Sequence, residues 1–253
     1  MAKYINFDPT AAPVSYASVF DLRRQYKEAA AGDWPAVIDT QYTSLYLPFD
    51  GTIQDQSPNG HTVTAYGNAA ISSAQSKFGG YSLALDGSGD RLEVSHSGPL
   101  SFGAGDFTIE AWVYATSTSG NADIVGDRIS TIYGGFLFYR QGSNFQFYSS
   151  TVIGNSGSWN IASAQFLGTA SLNAWTHLAV TRSGNTFRCF QDGVQQSTFT
   201  NSSTLPTNTA VGVGGRFSSD YFAGYIDDLM ILKGHARYTA NFTPPTTASG
   251  GGI

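Results

Sequence analysis

From Tyr42 onward, apolar and polar residues alternate in short runs separated by Gly, Asn, Asp, Ser and Pro. Period-two alternation over five to nine residues is the mark of half-buried strands, because successive side chains point to opposite faces. The pattern predicts strands at 43–49, 62–66, 81–86, 91–95, 107–114, 134–140, 144–149, 175–181, 186–191, 194–199, 210–214 and 222–232. Asp192-Gly193, between TFRCFQ and VQQSTF, is a two-residue hairpin signal. Gly142-Ser143-Asn144 and Ser183-Gly184-Asn185 mark longer turns. Residues 150–172 are polar and weakly patterned, and predict a long loop or a loop with a short strand. Many short strands at close spacing predict a packed sandwich.

The first 41 residues follow a different rule. Residues 1–16 carry Pro9 and Pro13 without a period and read as an extended arm. In SVFDLRRQYKEAAA, residues 18–31, Val19, Leu22, Tyr26 and Ala29/Ala30 recur at helical spacing. Ser18 can cap the start, and Gly32 with Pro35 ends the run. The division expected is an arm and helix at 1–41, a β-domain at 42–245 and a flexible tail at 246–253. One amphipathic helix cannot make its own core. Val19, Leu22 and Tyr26 are therefore candidate assembly contacts, with packing back onto the β-domain as the alternative.

The acids Asp227 and Asp228 interrupt an otherwise apolar run, YIDDLMILK. Strict alternation places Asp227 with Tyr225, Leu229 and Ile231, and Asp228 with Ile226, Met230 and Leu232. Two carboxyls on opposite faces cannot share one substrate, whereas glycosidic chemistry needs both in one cleft. The pair predicts a central strand, not a catalytic dyad.

Composition narrows the picture further. The 253-residue chain is 41% hydrophobic and 14% aromatic but only 12% charged, with a net charge of −5. Glutamate occurs only at Glu28, Glu93 and Glu110, which argues against a helical protein. The absence of a basic stripe excludes nucleic acid as an expected partner. No apolar run is long enough to span a membrane, so no membrane insertion is expected. Cys189 is the single cysteine, so no intrachain disulfide forms. With no apolar leader in MAKYINFDPTAAP, the expectation is folding in a cytoplasm. No nucleophile elbow, phosphate loop or His-Glu-x-x-His pattern is present, and His61, His96, His177 and His235 are dispersed.

Six segments in order resemble the laminin-G-like, concanavalin-A-like jelly-roll family in its bacterial and phage form. They are LYLPFDG (45–51), DQSPNGHTV (55–63), KFGGYSLALDGSGDRLEV (77–94), FTIEAWVY (107–114), WTHLAVTRSGNTFRCFQDGVQ (175–195) and GYIDDLMILKGHARYTANFTPP (224–245). The resemblance implies an all-β, two-sheet antiparallel jelly-roll sandwich. Related jelly-roll glycosidases carry a Glu-x-Asp-x-x-Glu type pattern, which is missing here; Glu110 stands alone, and no enzyme is expected. Many members bind structural calcium between the opening and closing strands. Asp50 and Asp227 are the matching metal candidates, with turn hydrogen bonding as the alternative.

Glycan binding is the family use to test next. In GGFLFYRQ and NFQFYSS, Phe136, Phe138, Phe145 and Phe147 form one face, while Tyr139 and Tyr148, with Gln146, form the other. Tyr133, Tyr139, Arg140, Tyr148 and Trp159 are the sugar-contact candidates, and ordinary sheet packing is the alternative. The phage-like closing motif and the arm lead to the expectation of a virion surface protein, assembled in a host cytoplasm. Its role would be capsid decoration or a place in a tail or fibre. Its partners would be other virion proteins, itself, or a host surface glycan. The competing expectation is a carbohydrate-binding module of a bacterial surface protein.

Overall fold

The computed structural model describes residues 41–128, 131–216 and 219–249. The arm and helix, with Val19, Leu22 and Tyr26, lie outside the described residues. What is described is an antiparallel jelly-roll sandwich with no helix among the described residues.

In chain order the strands are β1 Thr43–Leu47, β2 Thr62–Tyr66, β3 Ala70–Ser72, β4 Ser82–Asp86, β5 Arg91–Ser95, β6 Phe107–Ala115, β7 Asn121–Gly126, β8 Leu137–Gln141, β9 Asn144–Ser149, β10 Ala162–Thr169, β11 Trp175–Ser183, β12 Thr186–Gln191, β13 Val194–Thr200, β14 Ala210–Val213 and β15 Ala223–Lys233. One sheet runs β13-β12-β11-β6-β15-β4-β3, with β1 added on β15. The other runs β10-β9-β8-β7-β14-β5-β2. We call them the β6 sheet and the β8 sheet.

The inner faces are those the alternation marks. Phe107, Ile109, Ala111 and Val113 of β6, Leu178 and Val180 of β11, and Phe187 and Cys189 of β12 meet Phe136, Phe138, Phe145 and Phe147 from β8, β9 and the turn before them. Phenylalanines recur on these inner faces because two sheets about 10 Å apart need long side chains to close the gap. Gly193 completes the predicted hairpin: its φ is +77°, and a Cβ there would strike the carbonyl oxygen of Phe242.

Three strands, β3, β7 and β10, lie outside the predicted set. β7 and β10 carry register shifts, at Asp123/Val125 in one and at Ala162/Gln165 and Phe166/Gly168 in the other. Each bulge breaks the alternation by one residue and hides the strand from a period-two reading.

A bulge also corrects the expectation for the two acids. Asp227 faces Trp112, but Met230 faces Glu110, so β15 spends one extra residue there. Asp228 absorbs it at φ +49°. The inward set is consequently Ile226, then Leu229 and Ile231. Both acids turn away from the core, toward the outer side of the β6 sheet.

That outer side is partly roofed by the segment after β15. Thr108 donates to the carbonyl of His235 (3.0 Å) and Thr181 to that of Tyr238 (2.7 Å). Tyr238 and Phe242 stack with ring centroids 3.5 Å apart and cover Ala179 and Phe190. Ser249 belongs to the tail expected at 246–253. Its amide and hydroxyl both donate to Asp228, at 2.9 and 2.7 Å.

Candidate functional site

On the outer face of the β8 sheet, Tyr139 of β8 and Tyr148 of β9 meet edge to face, 5.7 Å between centroids. Trp159 packs against Tyr148 at 5.3 Å, and Tyr133 against Trp159 at 5.4 Å. The four rings form one continuous chain, and all four are half-buried. The structure thus brings together four of the five residues expected to contact sugar.

Local chemistry explains how two loops deliver their rings to the strands. Asp127, just after β7, accepts hydrogen bonds from the Phe136 amide (3.1 Å) and the Asn208 side chain (2.8 Å). Its carboxyl occupies the space where Cβ atoms of Gly134 or Gly135 would lie, so the Gly-Gly pair lets the chain close over it. Burial pushes that carboxyl up to about 6. Tyr133 then pairs with Gly154 through backbone bonds in both directions, at 2.9 and 3.2 Å. Asn160 braces the second loop by bonding Thr151 twice, at 2.9 and 2.8 Å. Trp159 is held between these supports.

The rim beside Tyr139 is charged but balanced. Arg128 is paired with Asp123 and reaches Asp220 at 3.1 Å, and Arg216 reaches the same Asp220 carboxylate at 3.1 Å. The Arg128 guanidinium sits 5.0 Å from the Tyr139 ring centroid. Burial raises Asp123 to about 6 against the pull of Arg128, and burial with the nearby Asp220 charge raises the Tyr139 phenol to about 12. The phenol therefore stays neutral and can donate. Sequence reading missed these four charged residues. Asp123 lies in the hidden strand β7, and Asp220 approaches from a segment about a hundred residues away.

Arg140 does not join the cluster. It shares the parity of Phe136 and Phe138, so its side chain runs inward and is fully buried. There it donates to the carbonyls of Gly142 (2.8 Å), Ser119 (3.1 Å) and Gly120 (3.4 Å), tying two turns together.

The two metal candidates flank the turn before β4. Asp50 is exposed beside Gly79, and Asp227 is buried, its Oδ2 accepting from the amides of Lys77 (2.8 Å) and Phe78 (3.2 Å). Asp227 Oδ1 has no hydrogen-bond partner, and burial raises this carboxyl to about 7. An orphaned carboxylate oxygen suits a hard cation, and carbonyl oxygens would have to supply the rest of its shell. Among the described residues, no three acidic, imidazole or thiol groups converge to share that task.

Glu110 is fully committed. It accepts from Arg237 (2.6 Å) and Tyr238 (2.7 Å), with His177 Nε2 at 3.3 Å. Burial works to raise its pKa, but the Arg237 charge and these hydrogen bonds hold it down to about 2. A carboxylate so paired and roofed is a structural anchor.

Residues 86–237 match the Laminin G 3 family model, described as concanavalin A-like lectin/glucanases superfamily. The chain belongs to this superfamily. No curated protein sequence matches it. Among solved structures, domain 4 of the extracellular GH43 arabinanase AbnA from Geobacillus stearothermophilus, in complex with arabinotriose, superimposes with a TM-score of 0.58 at 18% identity, covering 77% of this chain and 94% of that one. The binding domain of botulinum neurotoxin serotype G gives 0.57 at 13% identity, over 79% of this chain and 48% of that one. The binding domain of Paraclostridial Mosquitocidal Protein 1 gives 0.58 at 16% identity, over 79% and 50%. The chain thus spans about half of each toxin binding domain. At these identities the likeness establishes the lectin-like fold.

Proposed function

We propose that this domain is a non-catalytic glycan-binding module that holds a neutral oligosaccharide on the outer face of the β8 sheet. The observation that carries the reading is the continuous, half-buried chain of rings Tyr133–Trp159–Tyr148–Tyr139. Aromatic faces take up the C–H faces of sugars, and phenol and amide groups at the rim fix their hydroxyls. Gln146, which accepts from the Tyr148 hydroxyl at 2.9 Å, supplies such an amide. Both arginines at the rim are already paired with carboxylates, which disfavours an anionic sugar. The arabinotriose complex of the AbnA domain lends the reading support from a similar fold. Binding of soluble arabinan and xylan by the full chain, followed by affinity electrophoresis, tests it. Retardation lost in Tyr139→Ala/Tyr148→Ala supports the site, and retardation unchanged in that variant refutes it.

A structural cation at Asp227 and Asp50 is proposed alongside, on the strength of the orphaned Asp227 oxygen. The finer role, display on a virion through residues 1–41, rests on the resemblance of the closing motif and on the helical pattern of Val19, Leu22 and Tyr26. Light scattering of the full chain against Val19→Asp/Leu22→Asp tests it. A higher oligomer lost in the variant favours an assembly segment, and equal masses exclude self-association through those residues.

A further inference from the structure

The outer face of the β6 sheet changes character in three steps along β6. In the row through Glu110, Ala179 and Met230 are its lateral neighbours, and the segment carrying Arg237 and Tyr238 roofs them. The next row is His177–Trp112–Asp227, again in direct register across β11, β6 and β15. Each of these three buried side chains keeps one polar atom without a partner: His177 Nδ1, Trp112 Nε1 and Asp227 Oδ1. The row after that is Trp175–Tyr114–Tyr225, also in direct register. Its rings are half-buried, with centroids 5.5 and 5.7 Å apart.

Two independent features therefore adjoin. One is a row of three partly exposed aromatics, repeating near the strand spacing of about 4.8 Å, which is close to the length of one sugar unit. The other is a row of buried polar atoms, each of which costs stability while unpaired. We propose that the aromatic row, with Trp112 beside it, forms a second oligosaccharide platform, with sugar rings on Trp175, Tyr114 and Tyr225 and a hydroxyl bonded by Trp112 Nε1–H; His177 Nδ1 lies under Phe242 and takes no part. Asp227 Oδ1, which a cation can claim, is not required.

The chemistry selects the ligand class. The Lys77 ammonium lies 3.7 Å from the Trp112 ring centroid, a cation–π contact that engages its charge. The row Trp175–Tyr114–Tyr225 itself carries no charged side chain, so the ligand it suits is neutral. Tyr114 stands at 60° to Trp175 and 80° to Tyr225, so the surface is stepped. A stepped row suits a soluble chain whose successive rings turn relative to one another.

Titration calorimetry of the full chain with arabinotriose, xylotetraose and cellotetraose tests the platform. The expected result is two sites per chain for at least one probe. Trp175→Ala and Tyr225→Ala, checked for unchanged melting, each leave one site. Tyr139→Ala/Tyr148→Ala also leaves one site, and the combined variant leaves none. Trp112→Phe, which keeps an aromatic side chain and removes the N–H, weakens only the second site, by about ten-fold, at a melting temperature checked against the parent. A single site lost with Trp175→Ala would support this platform while removing the other one. A single site lost with Tyr148→Ala and untouched by Trp175→Ala, or no binding of any probe, overturns it.

Discussion

The two outer faces of this sandwich carry similar side chains and meet opposite fates. On the β6 sheet, Glu110, His177 and Phe190 are roofed by Arg237, Tyr238 and Phe242, and Glu110 and Phe190 are fully buried. On the β8 sheet, Tyr139, Tyr148, Trp159 and Tyr133 remain half-open. Aromatic residues at strand period occur on both. What separates a packed face from a candidate binding face is whether another part of the chain returns to cover it. Regions of similar composition therefore differ in what mutation does to them: stability beneath the roof around Glu110, binding where the aromatics stay open.

The largest effect is expected on the roofed side. Glu110→Ala leaves Arg237 and His177 facing a hole, and loss of a buried ionic partner costs about 3–5 kcal/mol, readable by urea unfolding. The same carboxylate sets a pH signature. Its pKa is held at about 2 in the fold against 4.5 ordinarily, so the stability it contributes is complete above pH 4.5 and is lost as pH falls through that window toward 2. Asp123 and Asp127, raised to about 6, act with the opposite sign between pH 4 and 6. Comparing Glu110→Gln with the parent across pH 2–7 isolates the Glu110 contribution: the gap between them narrows below pH 4.5. A gap independent of pH would contradict the assignment.

Arg140→Ala comes next. It strands three turn carbonyls at the end of the sandwich and is expected to cost about 2 kcal/mol, with glycan affinity preserved in the folded fraction. A selective loss of affinity without destabilisation would return Arg140 to the binding surface. Tyr148→Ala inverts that pattern: roughly ten-fold weaker sugar binding with little change in melting, since the ring is only half-buried. The smallest effect is the cation. Millimolar calcium is expected to raise the melting temperature by a few degrees in the parent and not in Asp227→Asn, as linkage requires of a ligand held only by the fold. Equal shifts in both proteins would remove Asp227 from the site.

Much of this architecture is legible in the alternation of residues. FTIEAWVY, WTHLAVT and NFQFYSS announce both their strands and their inner faces, because an uninterrupted period of two has one geometric solution. Bulges defeat that logic. Asp228 at φ +49° shifts the parity of β15, so the faces assigned to Ile226, Leu229 and Met230 by simple counting do not hold. The same device conceals β7, and with it Asp123 and its partner Arg128. The Tyr133–Trp159–Tyr148–Tyr139 grouping was partly visible, since Tyr139 and Tyr148 share the face opposite the phenylalanines. Arg140 has the opposite parity, a sign already present in FLFYR. The roof over Glu110 was not readable, because it depends on a segment more than a hundred residues downstream folding back.

The most direct test of the central claim is a binding isotherm of the full chain for arabinotriose, run in parallel with Tyr139→Ala/Tyr148→Ala at matched melting temperature. Our account expects binding in the parent and loss of the β8-sheet site in the variant, with at least a ten-fold rise in its dissociation constant. Identical isotherms for the two proteins would show that the open aromatic chain holds no sugar.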